Sequence, residues 1–225
     1  MKPIHKNLDY VDTLRALAIL AVVMVHVNQY GEIQAPHIFS KIFNEGARGV
    51  QLFFMASAFT LFLSYQNRLN SENNPTRNFF IRRFFRIAPM YYLGILFYLW
   101  QNDESQKIWL GNQTSITPLN IVSNFSFTHG FNPYYITSLV PGGWTIGVEM
   151  CFYAILPFLF SKIKNLNQAF LFFISCCILQ FILHLFLINN PLISDSWLWQ
   201  AYLKLYFPSQ LPIFALGIIL FFLVK

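Results

Sequence analysis

The sequence predicts an all-α integral membrane protein, a polytopic bundle of about six transmembrane helices. Its 225 residues are 56% apolar and 19% aromatic but only 11% charged, too little charge to cover a soluble domain of that size. Apolar runs of membrane-crossing size recur at roughly 13–30, 49–65, 86–100, 144–161, 168–188 and 207–224. The basic residues fall between those runs: with the amino terminus in the cytoplasm, eleven Lys and Arg lie inside and four outside, the asymmetry that the positive-inside rule expects.

A net charge of +6 would ordinarily suggest nucleic acid as a partner. Here the charge is spread between spans and lines no single polar face, so its use is topological and the expected partner is the lipid bilayer. Cys151, Cys176 and Cys177 all lie in apolar segments. Neighbouring cysteines are poorly placed to bond each other, so free thiols are expected. No small-x-small cleavage pattern closely follows the first apolar run, which therefore reads as a retained helix.

The first helix, centred on Leu14 to Tyr30, carries Arg15 near its start and His26 eleven positions later. At 3.6 residues per turn the two leave the same face roughly 16 Å apart. Asp12 lies about one turn before Arg15, and Gln29 and Tyr30 about one turn after His26. The second, Gly49 to Tyr65, is apolar except for Gln51 and Ser57, and Ser57 reads as a packing or back-bonding serine. The connection 66–85 carries Arg68, Arg77, Arg82 and Arg83 and runs into Arg86. Pro89 then falls in the expected first turn of the third span, where its missing N–H costs little.

Segment 101–143, assigned outside, is too long to be a plain connection and is expected to have structure of its own. Within it, Ile116 to Phe127 alternates apolar and polar residues and either lies along the membrane surface or re-enters it. The triplets at Asn112 and Asn124 match the glycosylation pattern but carry no weight, and His129 reads as an ordinary loop histidine. The fourth span opens with Pro141-Gly142-Gly143-Trp144 and holds Glu149, with Tyr153 one turn further along in hydrogen-bonding reach. No Gly-rich phosphate loop, HExxH or CxxC is present, and the scattered histidines lack ligand spacing, so no metal is expected.

An ionisable residue within a span is a functional candidate by default. Arg15, His26 and Glu149 qualify, each beside a plainer alternative: Arg15 snorkelling to headgroups, His26 packing in a bundle, Glu149 stabilised by a helix dipole.

These residues resemble the integral membrane acyltransferase 3 family, which includes O-acetyltransferases of bacterial surface polysaccharides. The likeness is carried by Leu8 to Ala18 followed by His26, by Gly49 to Phe59, by Phe80 to Tyr92 with its arginines, and by Pro141 to Glu149 with Phe152 and Tyr153. It runs from about Leu8 to the end of the chain, in the family's order. Gln51, Ala58 and Met150 stand where the family often has an acid, a glycine and a second acid, and no role is carried onto them.

The resemblance implies a single acyltransferase domain over 1–225 with fewer spans than the family usually carries, so the chain is expected to be incomplete at its carboxyl end. It implies transfer of an acyl group, chiefly acetyl, from acyl-CoA to a hydroxyl of a sugar, a polysaccharide or a lipid-linked glycan, in a bacterial inner membrane. Neutral His26 would be the general base. Arg15 would hold phosphate or the polarised carbonyl through its fork of donors. Glu149 would steady an imidazolium or bind acceptor hydroxyls. Arg82, Arg83 and Arg86 would add attraction for the polyanionic coenzyme. A small transporter, or a truncated and inactive acyltransferase remnant, would also place such residues within spans.

Overall fold

The computed structural model describes residues 9–30, 46–101, 110 and 116–225, without the side chains of 9, 10, 12 and 26–30. Among the described residues all regular structure is helical: α1 (Asp9–Tyr30), α2 (Gly49–Leu69), α3 (Pro75–Trp100), α4 (Pro118–Phe125), α5 (Trp144–Lys162), α6 (Leu166–Asn189), α7 (Ser196–Leu205) and α8 (Phe207–Val224). Short 3-10 turns occupy Gly46–Arg48, His129–Phe131 and Pro133–Tyr135. The helical membrane bundle expected from composition is therefore present. Among the described residues, four stretches are long and apolar enough to cross a bilayer: Gly46–Leu69, Trp144–Lys162, Leu166–Asn189 and Ser196–Val224. The apolar part of α1, Thr13–Val25, is shorter.

The third element differs from its expected form. Its helix begins at Pro75, not near Arg86, so Arg77, Arg82 and Arg83 are helical residues and not part of a connection. Arginine is a good helix former, and a hydropathy window that rejects charge misses that part of the helix. Pro75 takes the tolerated first-turn position, whereas Pro89 lies inside the helix. There its missing N–H removes one bond of the ladder.

The chain divides into two compact units, 1–72 with 213–225, and 73–212. In the first, α1 packs along α2. Val11, Ala18 and Val25 form the buried seam of α1, a seven-residue repeat that keeps one face on its neighbour. Close approach is set by glycine: a Cβ on Gly49 would stand 2.6 Å from the Ala18 carbonyl oxygen, and one on Gly46 2.5 Å from that of Ala21. Residues 213–224 of α8 pack on α2, with Phe214 stacked on Phe54 at 4.8 Å and Phe221 edge-on to Phe62 at 5.7 Å.

In the second unit, α3 packs against α5, and residues 116–143 form a lobe over the carboxyl-terminal half of α3. α4 starts at Pro118, with Thr117 as its cap: the Thr117 hydroxyl accepts from the Asn120 N–H at 3.1 Å. Asn165 caps α6, and the Asp195 carboxylate accepts from Trp197 and Leu198 N–H to start α7, which falls between the spans expected at 168–188 and 207–224 and was not expected as a helix. Cys151, Cys176 and Cys177 are free thiols, but of the buried thiols that their apolar segments suggest only Cys176 is buried, and Cys151 and Cys177 are half-buried.

Candidate active site

In the first unit, α1 is helical through positions 15 and 26, which preserves the three-turn spacing. Arg15 is half-buried, and its Nη2 donates to the Thr60 hydroxyl of α2. Thr60 turns its own proton back onto its helix, towards the Ala56 and Ser57 carbonyls at 3.0 and 3.1 Å. A hydroxyl has one proton and two lone pairs, so donating along α2 leaves it free to accept from a cation. Thr60 was not singled out in the sequence. Its signal is weak, a lone threonine in an apolar helix that could equally be back-bonding and nothing more. The side chain of His26 lies outside the described residues. Ser57 is buried, as a packing serine should be.

In the second unit, Glu149 is 6% exposed on α5. Tyr153, one turn further along the same face, hydrogen-bonds its carboxylate, as the spacing predicted. Arg83 of α3 reaches the same place: its guanidinium carbon is 6.0 Å from the Tyr153 ring centre and 5.7 Å from that of Phe79. Its charge is coupled to that of Glu149. Burying a carboxylate requires such compensation. Arg83 thus turns inward onto α5. Arg86, exposed one turn later, borders a cavity of about 410 Å³ formed with Met90, Tyr91, Gly143, Thr145 and Ile146. Arg82 is half-buried on the same helix.

The lobe contains two groups whose part the sequence reading did not foresee. His129 is 0% exposed, so it is a core residue and not an ordinary loop histidine. Its Nε2 donates to the Gly143 carbonyl at 3.2 Å, and its ring fills the space where a Cβ on Gly147 would stand, 2.9 Å from Nε2. Burial pushes its pKa down to about 4, outweighing the Gly143 and Ser123 carbonyls that favour the proton. The ring is therefore neutral near pH 7.

Asn124 is also fully buried. Its Oδ1 accepts from the Tyr91 hydroxyl (2.8 Å), the Ser138 hydroxyl (2.8 Å) and the Leu139 N–H (3.1 Å). Its Nδ2 donates to the carbonyl and side-chain oxygens of Asn120 at 2.9 and 2.8 Å. Such an asparagine accepts no glycan in the folded chain. The triplet at Asn112 lies outside the described residues.

Together these contacts fix the turn that leads into α5. Ser138 and Gly142 adopt positive φ of 68° and 74°, a conformation that favours glycine and costs an L side chain. At Ser138 the bond from its hydroxyl to Asn124 Oδ1 holds that conformation. The turn, with His129 on Gly143, sets the height at which α5 begins and hence where Glu149 stands.

No curated protein and no solved structure matches the chain. The acyltransferase domain model of the acyltransferase 3 family matches residues 8–225, all but the first seven, and the chain belongs to that family.

Proposed function

We propose that this protein moves an acyl group, chiefly acetyl, from acyl-CoA to a hydroxyl of a sugar, a cell-surface polysaccharide or a lipid-linked glycan. The proposed setting is a bacterial inner membrane with the amino terminus in the cytoplasm. The observation that carries the reading is the family match over residues 8–225, which takes in both helices bearing Arg15, His26 and Glu149.

In this reading the His26 imidazole takes the proton from the acceptor hydroxyl as its oxygen attacks the thioester carbonyl. The C–S bond then breaks, and coenzyme A leaves with the proton that the imidazolium returns. Arg15 binds a phosphate of the donor or the polarised carbonyl oxygen. Its contact with Thr60 supports this, because a guanidinium held at one nitrogen keeps its remaining donors oriented. Glu149, steadied by Tyr153 and Arg83, balances the imidazolium or binds acceptor hydroxyls. Arg82, Arg83 and Arg86 attract the polyanionic coenzyme.

The test is release of coenzyme A from radiolabelled acetyl-CoA by the chain reconstituted in lipid. Arg15→Ala and His26→Ala are expected to remove it while leaving insertion intact. Unchanged release by His26→Ala would rule out the base, and no release from any folded form would refute the reading for this chain.

A further inference from the structure

The lobe 116–143 has its polarity reversed. Asn120, Ser123, Asn124, His129 and Ser138 are buried and bonded inside it, while the exposed Ser126 and Thr128 hydroxyls are bonded to each other and to the Val122 and Ser123 carbonyls. Leu119, Val122 and Phe131 are exposed on its surface, Val122 by 61%. On α4 this places Asn120, Ser123 and Asn124 on one face and Leu119 and Val122 on the other, so the helix turns its apolar stripe outward. In water the opposite arrangement is expected.

The sequence agrees with the geometry. From Ile108 to Val148 there is no Asp, Glu, Lys or Arg, whereas about a quarter of residues in water-exposed globular chains are charged. The one ionisable imidazole of the lobe, His129, is sealed inside.

The depth of the lobe is read from what it touches. Tyr91 bonds Asn124 and Ser138, the Tyr92 hydroxyl donates to the Phe125 carbonyl at 2.9 Å, and Gly94 lies against Val140. Ile95 and Leu99 pack into the same cluster. The lobe therefore stands level with residues 87–100 of α3, an uncharged stretch about 20 Å long. The free side of that stretch is itself apolar and exposed at Met90, Leu93, Leu96, Phe97 and Trp100, Met90 by 72%. Whatever covers one side of α3 at this level is met by the lobe at the same level.

We infer that residues 116–143 form a re-entrant element seated in the lipid of the leaflet that receives the carboxyl-terminal half of α3. Acyl chains cover Leu119, Val122 and Phe131. Irregular backbone is tolerated at that depth only when its polar groups are satisfied from within; the Asn124 network and the His129–Gly143 bond meet much of that need, while Asn120 Nδ2 and Thr137 Oγ1 are buried without a partner. The cavity beside Arg86 and Met90 then lies at the foot of an element reached through the bilayer.

The test uses the full chain in phospholipid vesicles, with the three cysteines replaced by alanine and one spin label introduced at Val122→Cys or Phe131→Cys. Leu171→Cys on exposed α6 serves as the lipid reference and Asn73→Cys, in the turn before α3, as the aqueous one. Both lobe labels are expected to relax with dissolved oxygen as Leu171→Cys does, and to meet a water-soluble nickel chelate several-fold less than Asn73→Cys. Nickel access equal to Asn73→Cys would overturn the inference in favour of an aqueous loop. Protection from both reagents would overturn it in favour of a protein partner on this face. As a check free of labels, Val122→Lys is expected to lower the yield of folded, inserted chain several-fold while Asn73→Lys leaves it unchanged; equal yields would count against lipid at Val122. None of these readouts depends on acyl transfer.

Discussion

The α1–α2 pair and the lobe over α3 are both closed interiors, and they are closed by opposite means. Between α1 and α2 the backbones are brought together by Gly46 and Gly49 against Ala18 and Ala21. A polar link between these helices runs from Arg15 to Thr60. In the lobe the interior is a hydrogen-bonded network around Asn124 and His129, with Phe127 stacked on Tyr91 and Tyr92 at 5.5 and 5.6 Å. Small residues allow dispersion contacts between regular helices, which need no further backbone partners. An irregular segment has free N–H and C=O groups and must supply side chains to meet them. The first region should therefore be sensitive to volume and the second to the loss of a single acceptor.

The largest effect is expected at Asn124. Asn124→Leu removes the acceptor shared by two hydroxyls and one N–H, a loss of about 3 kcal/mol or more. Ser138→Ala, which removes only one of those donors, should lose less. Thermal unfolding in detergent followed by tryptophan fluorescence would measure both, and equal losses would show that the network is not what holds the lobe.

His129 adds a pH dependence with a definite sign. Its pKa is held down at about 4 in the folded chain and returns to about 6.5 once unfolding in detergent exposes the ring to water. Above pH 6.5 both states are neutral and the full stability is present. As pH falls towards 4 the open state gains the proton first, so about 3 kcal/mol is lost across that window and no more below it. His129→Gln, which keeps a donor for the Gly143 carbonyl, should remove most of this slope in melts taken between pH 4 and 7.

Smaller effects belong to the first region. Gly49→Ala forces a methyl against the Ala18 carbonyl and should cost about 2 kcal/mol, whereas an alanine at exposed Asn73 should cost almost nothing in the same melt. Thr60→Val removes the acceptor of Arg15 and keeps the volume, with an expected loss of about 1 kcal/mol. In the activity assay it should raise KM for acyl-CoA several-fold more than it lowers kcat, with Thr60→Ser restoring the wild-type value. A fall in kcat alone would place Arg15 at the reacting carbonyl and not on the donor phosphates.

Much of the bundle was legible because lipid imposes a simple rule on composition. The spans expected at 144–161, 168–188 and 207–224 closely match Trp144–Lys162, Leu166–Asn189 and Phe207–Val224. The start of α3 was not legible, because its arginines break the apolar pattern without breaking the helix. At the candidate site, the pairing of Glu149 with Tyr153 followed from helix spacing. Thr60 and Arg83 did not, since each meets its partner from another helix and no local pattern records that meeting.

By itself, then, the sequence determined the membrane class, the positions of most long helices and the family, because burial in lipid and helix periodicity are properties of neighbouring residues. Tertiary structure alone decided which polar side chains are satisfied, and by what. By sequence Asn124 is only part of a triplet that carries no weight and His129 reads as a loop residue; contacts from α3 and the start of α5 enclose them. The physical reason is that the cost of burying a polar group depends on partners distant in the chain.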